Sequence, residues 1–196
     1  MRVNTLIVTA HPDQASLTVG IAQQLLEALK PGKAAVADLA DEGFDPRFSL
    51  ADRACYRGDG ETPADVVREQ VRLDAADHLV LVFPVYWWSM PALLKGWIDR
   101  VFINGWAFSI DESGTRRNLG KLTVHLVAVA GDDAGTYERH GYEQAIRTQI
   151  EHGIVDYVGA QRGSVAFVHE SEQDDADARQ ALVEDAVRRT VRAVQS

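Results

Sequence analysis

"LVLVFPVYWWSMPALLKGWIDRVF" (residues 79–102) holds three of the four tryptophans in a chain of 196 residues: Trp87, Trp88 and Trp97. It begins as a continuous apolar run, the mark of a strand covered on both faces. The run stops at Pro84, an aromatic turn follows, and from Pro91 apolar residues return at helical spacing. Bulky rings on the short link between a strand and a helix are poorly placed for a core. They are well placed to meet a ligand or a second chain.

Outward from this stretch the same alternation repeats. "VNTLIVTA" (3–10), "KAAVADL" (33–39), "LTVHLVAVA" (122–130) and "GSVAFVH" (163–169) read as further strands. A helix is expected over 16–29, capped by Ser16 and stopped by Pro31 and Gly32, and another over 62–77, with Thr62 as cap and Pro63 in its first turn. Two more are expected over about 142–157 and 175–194, and a small hairpin at 112–114. Residues 40–61 are polar and turn-rich with little periodicity, and read as a long surface excursion. Strands and helices in alternation call for a five-stranded parallel sheet with helices on both faces, in the order 2-1-3-4-5 and in a single domain. Such sheets take ligands outside the carboxyl ends of their strands. The loops 11–18, 84–91 and 131–143 are expected to converge there.

Composition narrows the function. A net charge of −9 disfavours a nucleic-acid or anionic-membrane partner. One cysteine, Cys55, excludes an internal disulfide and a cysteine metal cage, as suits a reducing cytoplasm, and no base adjoins it to make a thiol nucleophile. The first residues lack the long apolar core of a signal peptide, and no run approaches a bilayer span. The expectation is a cytoplasmic protein without membrane insertion and without a metal.

Each loop offers its own chemistry. "HPDQASLT" (11–18) leads into a helix whose free N–H groups suit a phosphate, with His11 and the hydroxyls of Ser16 and Thr18 beside it. Ser16 as a plain cap and His11 as a turn residue are an equal alternative. Neither GxGxxG nor GxxxxGK[ST] is present. "PVYWWSMP" (84–91) can stack a flat heterocycle and hydrogen-bond its edge, or cover a dimer interface. "AGDDAGTYERHGYE" (130–143) sets Gly131 and Asp132 at a strand end, with Tyr137, His140 and Glu143 as candidate proton carriers. His78, His125, His152 and His169 show no ligand spacing, and the acids after residue 169 read as a solvated helix start.

Four segments carry a resemblance that spans nearly the whole chain: "TAHPDQASLT" (9–18), "VVREQVRLDAADHLVLVFPVYWWSMPALLKGWIDRVF" (66–102), "AGDDAGTYERHGYE" (130–143) and "DADARQALVEDA" near the end. They resemble the flavodoxin-like NAD(P)H:quinone oxidoreductases, the DT-diaphorase family. The resemblance implies a bound flavin, FAD or FMN. His11, Ser16, Leu17 and Thr18 would hold its ribityl and phosphate portions, Pro84, Val85, Tyr86, Trp87 and Trp88 would line its ring system, and Gly131 and Asp132 would approach its polar edge. It also implies a homodimer with the active site at the interface. The activity implied is ping-pong hydride transfer from NAD(P)H through the flavin to a quinone or similar electron-poor acceptor.

The family's usual asparagine is Thr18 here, and its common Thr-Thr-Gly-Gly is Val129, Ala130, Gly131 and Asp132. Tyr137 matches the tyrosine of the animal enzymes' Tyr–His pair, while the histidine position falls on Glu143 and His140 stands nearby. A flavin-bound regulatory subunit of a potassium efflux transporter is a second reading. A phosphorelay receiver is set aside, because His11 and Pro12 stand where acids would be needed.

Overall fold

Alternate residues of the central strands feed two separate apolar layers: Leu6, Leu79, Leu81 and Leu126 enter one, and Ile7, Val80, Val82 and Val127 the other. The two-residue pleat produces this division whenever both faces of a sheet are covered. The computed structural model describes residues 4–30 and 32–196. The order is β1 (Thr5–Thr9), α1 (Leu17–Ala28), β2 (Ala34–Asp38), α2 (Leu50–Arg57), α3 (Ala64–Asp74), β3 (His78–Pro84), α4 (Ala92–Val101) and a hairpin of β4 (Phe108–Asp111) and β5 (Gly114–Arg117). Next come β6 (Thr123–Val129), α5 (Ala134–His140), α6 (Tyr142–Arg147), a π-helical segment (Thr148–Val155), α7 (Asp156–Val158), β7 (Gln161–Val168) and α8 (Ala176–Val194).

The sheet runs β2-β1-β3-β6-β7 with every pairing parallel, which is the expected 2-1-3-4-5 order once the hairpin is set apart. Leu25 of α1 and Val183 of α8 pack in one layer, and Leu73 of α3, Leu94 and Trp97 of α4 and Ile146 of α6 in the other. Trp97 is fully buried, as ordinary packing requires, and its Nε1 donates to Glu69 Oε2 at 3.1 Å. Among the described residues no helix is long and apolar enough to cross a membrane.

Several expected boundaries move. Val3 and the stop at Pro31 lie outside the described residues. Pro63, not Thr62, is the cap of α3, and the Thr62 hydroxyl lies 3.2 Å from Cys55 Sγ instead. The expected helix over 142–157 is α6, the π-helical segment and α7 in succession, and α5 precedes it.

The excursion at 40–61 is not featureless. It contains α2, whose first turn is closed by a reciprocal capping box between Ser49 and Asp52. Asp52 is completely buried and accepts from Arg100 Nε at 2.9 Å. Arg100, 5% exposed, also donates to Asp65 Oδ2 at 2.6 Å and to the Asp45 carbonyl at 2.8 Å. Gly96 permits the close approach, since a Cβ there would sit 2.2 Å from the Pro46 carbonyl oxygen. The excursion is thus clamped to α4, the helix that follows the aromatic turn.

Candidate functional site

Tyr86 and Ser89 exchange backbone hydrogen bonds of 3.0 and 3.1 Å, closing a two-residue turn with Trp87 and Trp88 at its centre. Both have left-handed backbones, with φ of 49° and 60°. Such a turn normally takes Asn-Gly, because a Cβ in this region costs about 1–2 kcal/mol per residue. Two tryptophans here are an outlier, and backbone strain of this kind concentrates at ligand sites. The rings then part. Trp87 is 92% exposed, whereas Trp88 lies flat on Tyr142 with centroids 3.7 Å apart and meets Tyr137 edge-on at 5.8 Å. The Ser89 hydroxyl donates to Gln149 Oε1 at 2.5 Å, fastening the turn to the π-helical segment.

The turn and the β6 loop converge as expected. Val85, Tyr86, Trp87, Trp88, Gly131, Asp132 and Tyr137 line one open cleft of about 420 Å³, joined by Glu172. Register explains the meeting: Pro84 pairs with Val129, and the Val85 N–H donates to the Val129 carbonyl at 2.8 Å. Glu172, read from sequence as a solvated helix-start acid, arrives by a separate device. Glu170 takes a left-handed φ of 52° and its N–H donates to the Asp132 carbonyl, while the Ser171 N–H donates to that of Ala130. The segment after β7 therefore folds over the β6 loop, and the Glu172 carboxyl comes to lie over Gly131.

Of the three candidate proton carriers, the structure joins two through a residue the sequence left without a role. Tyr137 is 2% exposed, and the His169 ring stands edge-on to it with centroids 4.7 Å apart. His169 Nε2 lies 3.1 Å from Glu143 Oε1, while its buried Nδ1 has no partner among the described residues. His140 is exposed and stacks on Tyr142 at 5.2 Å, and among the described residues no hydrogen bond or ring contact joins it to Tyr137. Burial first, then the charges of Asp132 and Glu143, push the Tyr137 hydroxyl up to about 12. It therefore stays protonated at neutral pH. A histidine at a strand end, one residue past β7, carries no motif that would single it out.

β1 is the sheet neighbour of β3, but none of His11, Ser16, Leu17 and Thr18 lines this cleft. Ser16 caps α1, its Oγ accepting from the Val19 N–H at 3.3 Å, and the first turn of α1 carries no acidic residue. His11 Nδ1 lies 3.0 Å from the Asp13 N–H and 3.2 Å from the Asp13 carbonyl oxygen. Ser16 is thus a helix cap and His11 a turn residue. Thr18 is 2% exposed, so its hydroxyl is turned into the fold. At the end of β1 the buried Thr9 hydroxyl has no partner among the described residues. An uncompensated donor, a helix start free of acids and an exposed aromatic platform together fit a flat heterocycle bearing a phosphate.

The chain matches the family described as flavodoxin-like fold over residues 3–191. It is 28% identical over 201 residues to rat NAD(P)H dehydrogenase [quinone] 1, covering 91% of this chain and 73% of that one. In structure it is similar to an NAD(P)H:quinone oxidoreductase from Methanothermobacter marburgensis, with a TM-score of 0.88 and 23% identity over 100% of this chain and 98% of the other. It is also similar to an FMN-dependent NADH-azoreductase from Bacillus anthracis in complex with FMN, at a TM-score of 0.66 and 17% identity over 97% and 98% of the two chains. The sheet order, the carboxyl-edge cleft and these matches agree: the chain belongs to the flavodoxin-like fold family.

Proposed function

We propose that the protein is a flavin-dependent NAD(P)H:quinone oxidoreductase. The observation that carries the reading is the strained Trp87–Trp88 turn at the carboxyl edge of the sheet, which holds one indole 92% exposed over a cleft of about 420 Å³. The names of the relatives, dehydrogenases and oxidoreductases of NAD(P)H, point the same way. The chemistry that a bound flavin, FAD or FMN, supplies is transfer of a hydride from NAD(P)H to a quinone in two alternating, ping-pong half-reactions.

The protein's own residues bind, orient and hold protons. Val85, Tyr86, Trp87 and Trp88 offer a platform and a backbone edge to the ring system, and Gly131 and Asp132 face its polar side. His11, Ser16 and the N–H groups of Leu17 and Thr18 stand at the positive end of α1 for the phosphate. Tyr137, held protonated, donates a hydrogen bond into the cleft, and Glu143 orients His169 behind it.

The exposed rings of Tyr86 and Trp87 support a homodimer whose second subunit closes the cleft. The absorption spectrum of the purified protein, with the released cofactor identified by mass, tests the proposal. A flavin spectrum with FAD or FMN supports it, and a colourless protein that takes up neither flavin contradicts it.

A further inference from the structure

The lining of the cleft is negative. Asp132 and Glu172 line it, no lysine, arginine or histidine does, and neither carboxylate has an ion-pair or side-chain hydrogen-bond partner among the described residues. Both are solvent-facing, and their field reaches any ligand over the platform. Tyr137 is a second feature aimed at a ligand: it lines the same cleft, is 98% removed from solvent, and its hydroxyl makes no hydrogen bond to protein among the described residues. The exposed face of Trp87 adds a quadrupole that favours cations over anions.

From this arrangement we infer that Asp132 and Glu172 select the electron acceptor by charge. They admit neutral or cationic planar acceptors and reject anionic ones such as sulfonated or carboxylated quinones. This rests on the oxidoreductase reading and names the substrate class of the same site. Tyr137 offers its hydroxyl proton to an acceptor carbonyl, which a neutral quinone provides. At the reacting ring there is no conflict with the field, because the reduced nicotinamide ring is neutral and becomes a cation when its hydride leaves. The placement of Glu172 is built in by the backbone bonds from Glu170 and Ser171 to the β6 loop.

The test compares kcat/KM for a naphthoquinone and for its sulfonated counterpart, at low and high salt, in the flavin-loaded wild type, Glu172→Gln, Asp132→Asn and the double variant. The ratio of the two acceptors cancels any general change in reactivity. At low salt the wild type is expected to favour the neutral quinone by about tenfold or more, the order by which charged clefts change association. High salt and each substitution should shrink that ratio, and the double variant should bring it within about twofold. A ratio that neither salt nor substitution moves overturns the inference and assigns any preference to shape. If neither acceptor is reduced, the oxidoreductase reading fails by itself. Binding of the same pair, followed by tryptophan fluorescence, then decides the charge selectivity, and equal, salt-independent affinities overturn it.

Discussion

Trp88 and Tyr142 lie face to face, with ring centroids 3.7 Å apart and planes 10° from parallel. The stack holds a turn that its own backbone disfavours and ties it to α6. Tyr142→Ala is expected to lower stability by about 1–3 kcal/mol, the stacking contribution plus the lost packing, and to weaken flavin binding. Tyr142→Phe keeps the stack and should change neither by much. Urea unfolding and flavin titration measure both effects, and an unchanged Tyr142→Ala would show that the turn stands without the stack.

Trp87 separates strain from function. Its side chain is 92% exposed, so little packing is lost on replacement, whereas its φ of 49° suits asparagine far better. Trp87→Asn should leave stability unchanged or raise it by up to about 1 kcal/mol, while kcat/KM for quinone falls several-fold. A variant that is both less stable and fully active would place the indole in the fold rather than in the site.

Much of the fold is legible in the sequence because its central strands are buried on both faces. The "LIV" of "TLIVT" and the "LVLVFP" of "HLVLVFP" are apolar without interruption, as strands covered on both faces are. The aromatic turn is legible as an anomaly, but not in its conformation, because Trp-Trp carries none of the chemistry of a left-handed turn. Helix α2 is hidden by its brevity and its charges: Asp52 looks like surface until Arg100, 48 residues away, supplies the partner that lets it be buried. His169 and Glu172 escape for a related reason. Their roles come from a backbone fold-over at Glu170 and from Glu143 on another element, neither of which has a local signature.

Arg100 is the keystone of the excursion. Arg100→Met removes the partner of the fully buried Asp52 and of Asp65, and is expected to cost about 3–5 kcal/mol, the scale for leaving a buried charge unpaired. The excursion should then become sensitive to proteolysis before the sheet does. Pairing it with Asp52→Asn should recover part of the loss, because the stranded charge is gone. Additive losses in the double variant would argue against a coupled pair.

Two histidines at the other end of the sheet set an acid limit. His78 Nδ1 lies 3.2 Å from His125 Nε2, and the Ser164 N–H donates to His125 Nδ1 at 3.0 Å, so the proton of a neutral His125 points at His78. Burial first, and His78 second, push His125 down to about 4 from its usual 6.5. The unfolded chain therefore takes up this proton first, and the contribution is whole above the unfolded value and lost as pH falls from 6.5 toward 4. Its size is about 3 kcal/mol. His125→Asn retains an acceptor for Ser164 without the titration, and should flatten the fall in urea midpoint across this window. A slope equal to that of the wild type would remove His125 as the cause.

The most direct measurement of the central claim is an anaerobic stopped-flow experiment on the flavin-loaded protein, mixed first with NADH or NADPH and then with a neutral quinone. The expected result is bleaching of the visible flavin band by at least one nicotinamide and its return on adding quinone after the oxidised nicotinamide has been removed. A flavin band that neither nicotinamide bleaches, or that bleaches and is not restored by quinone, would contradict the assignment.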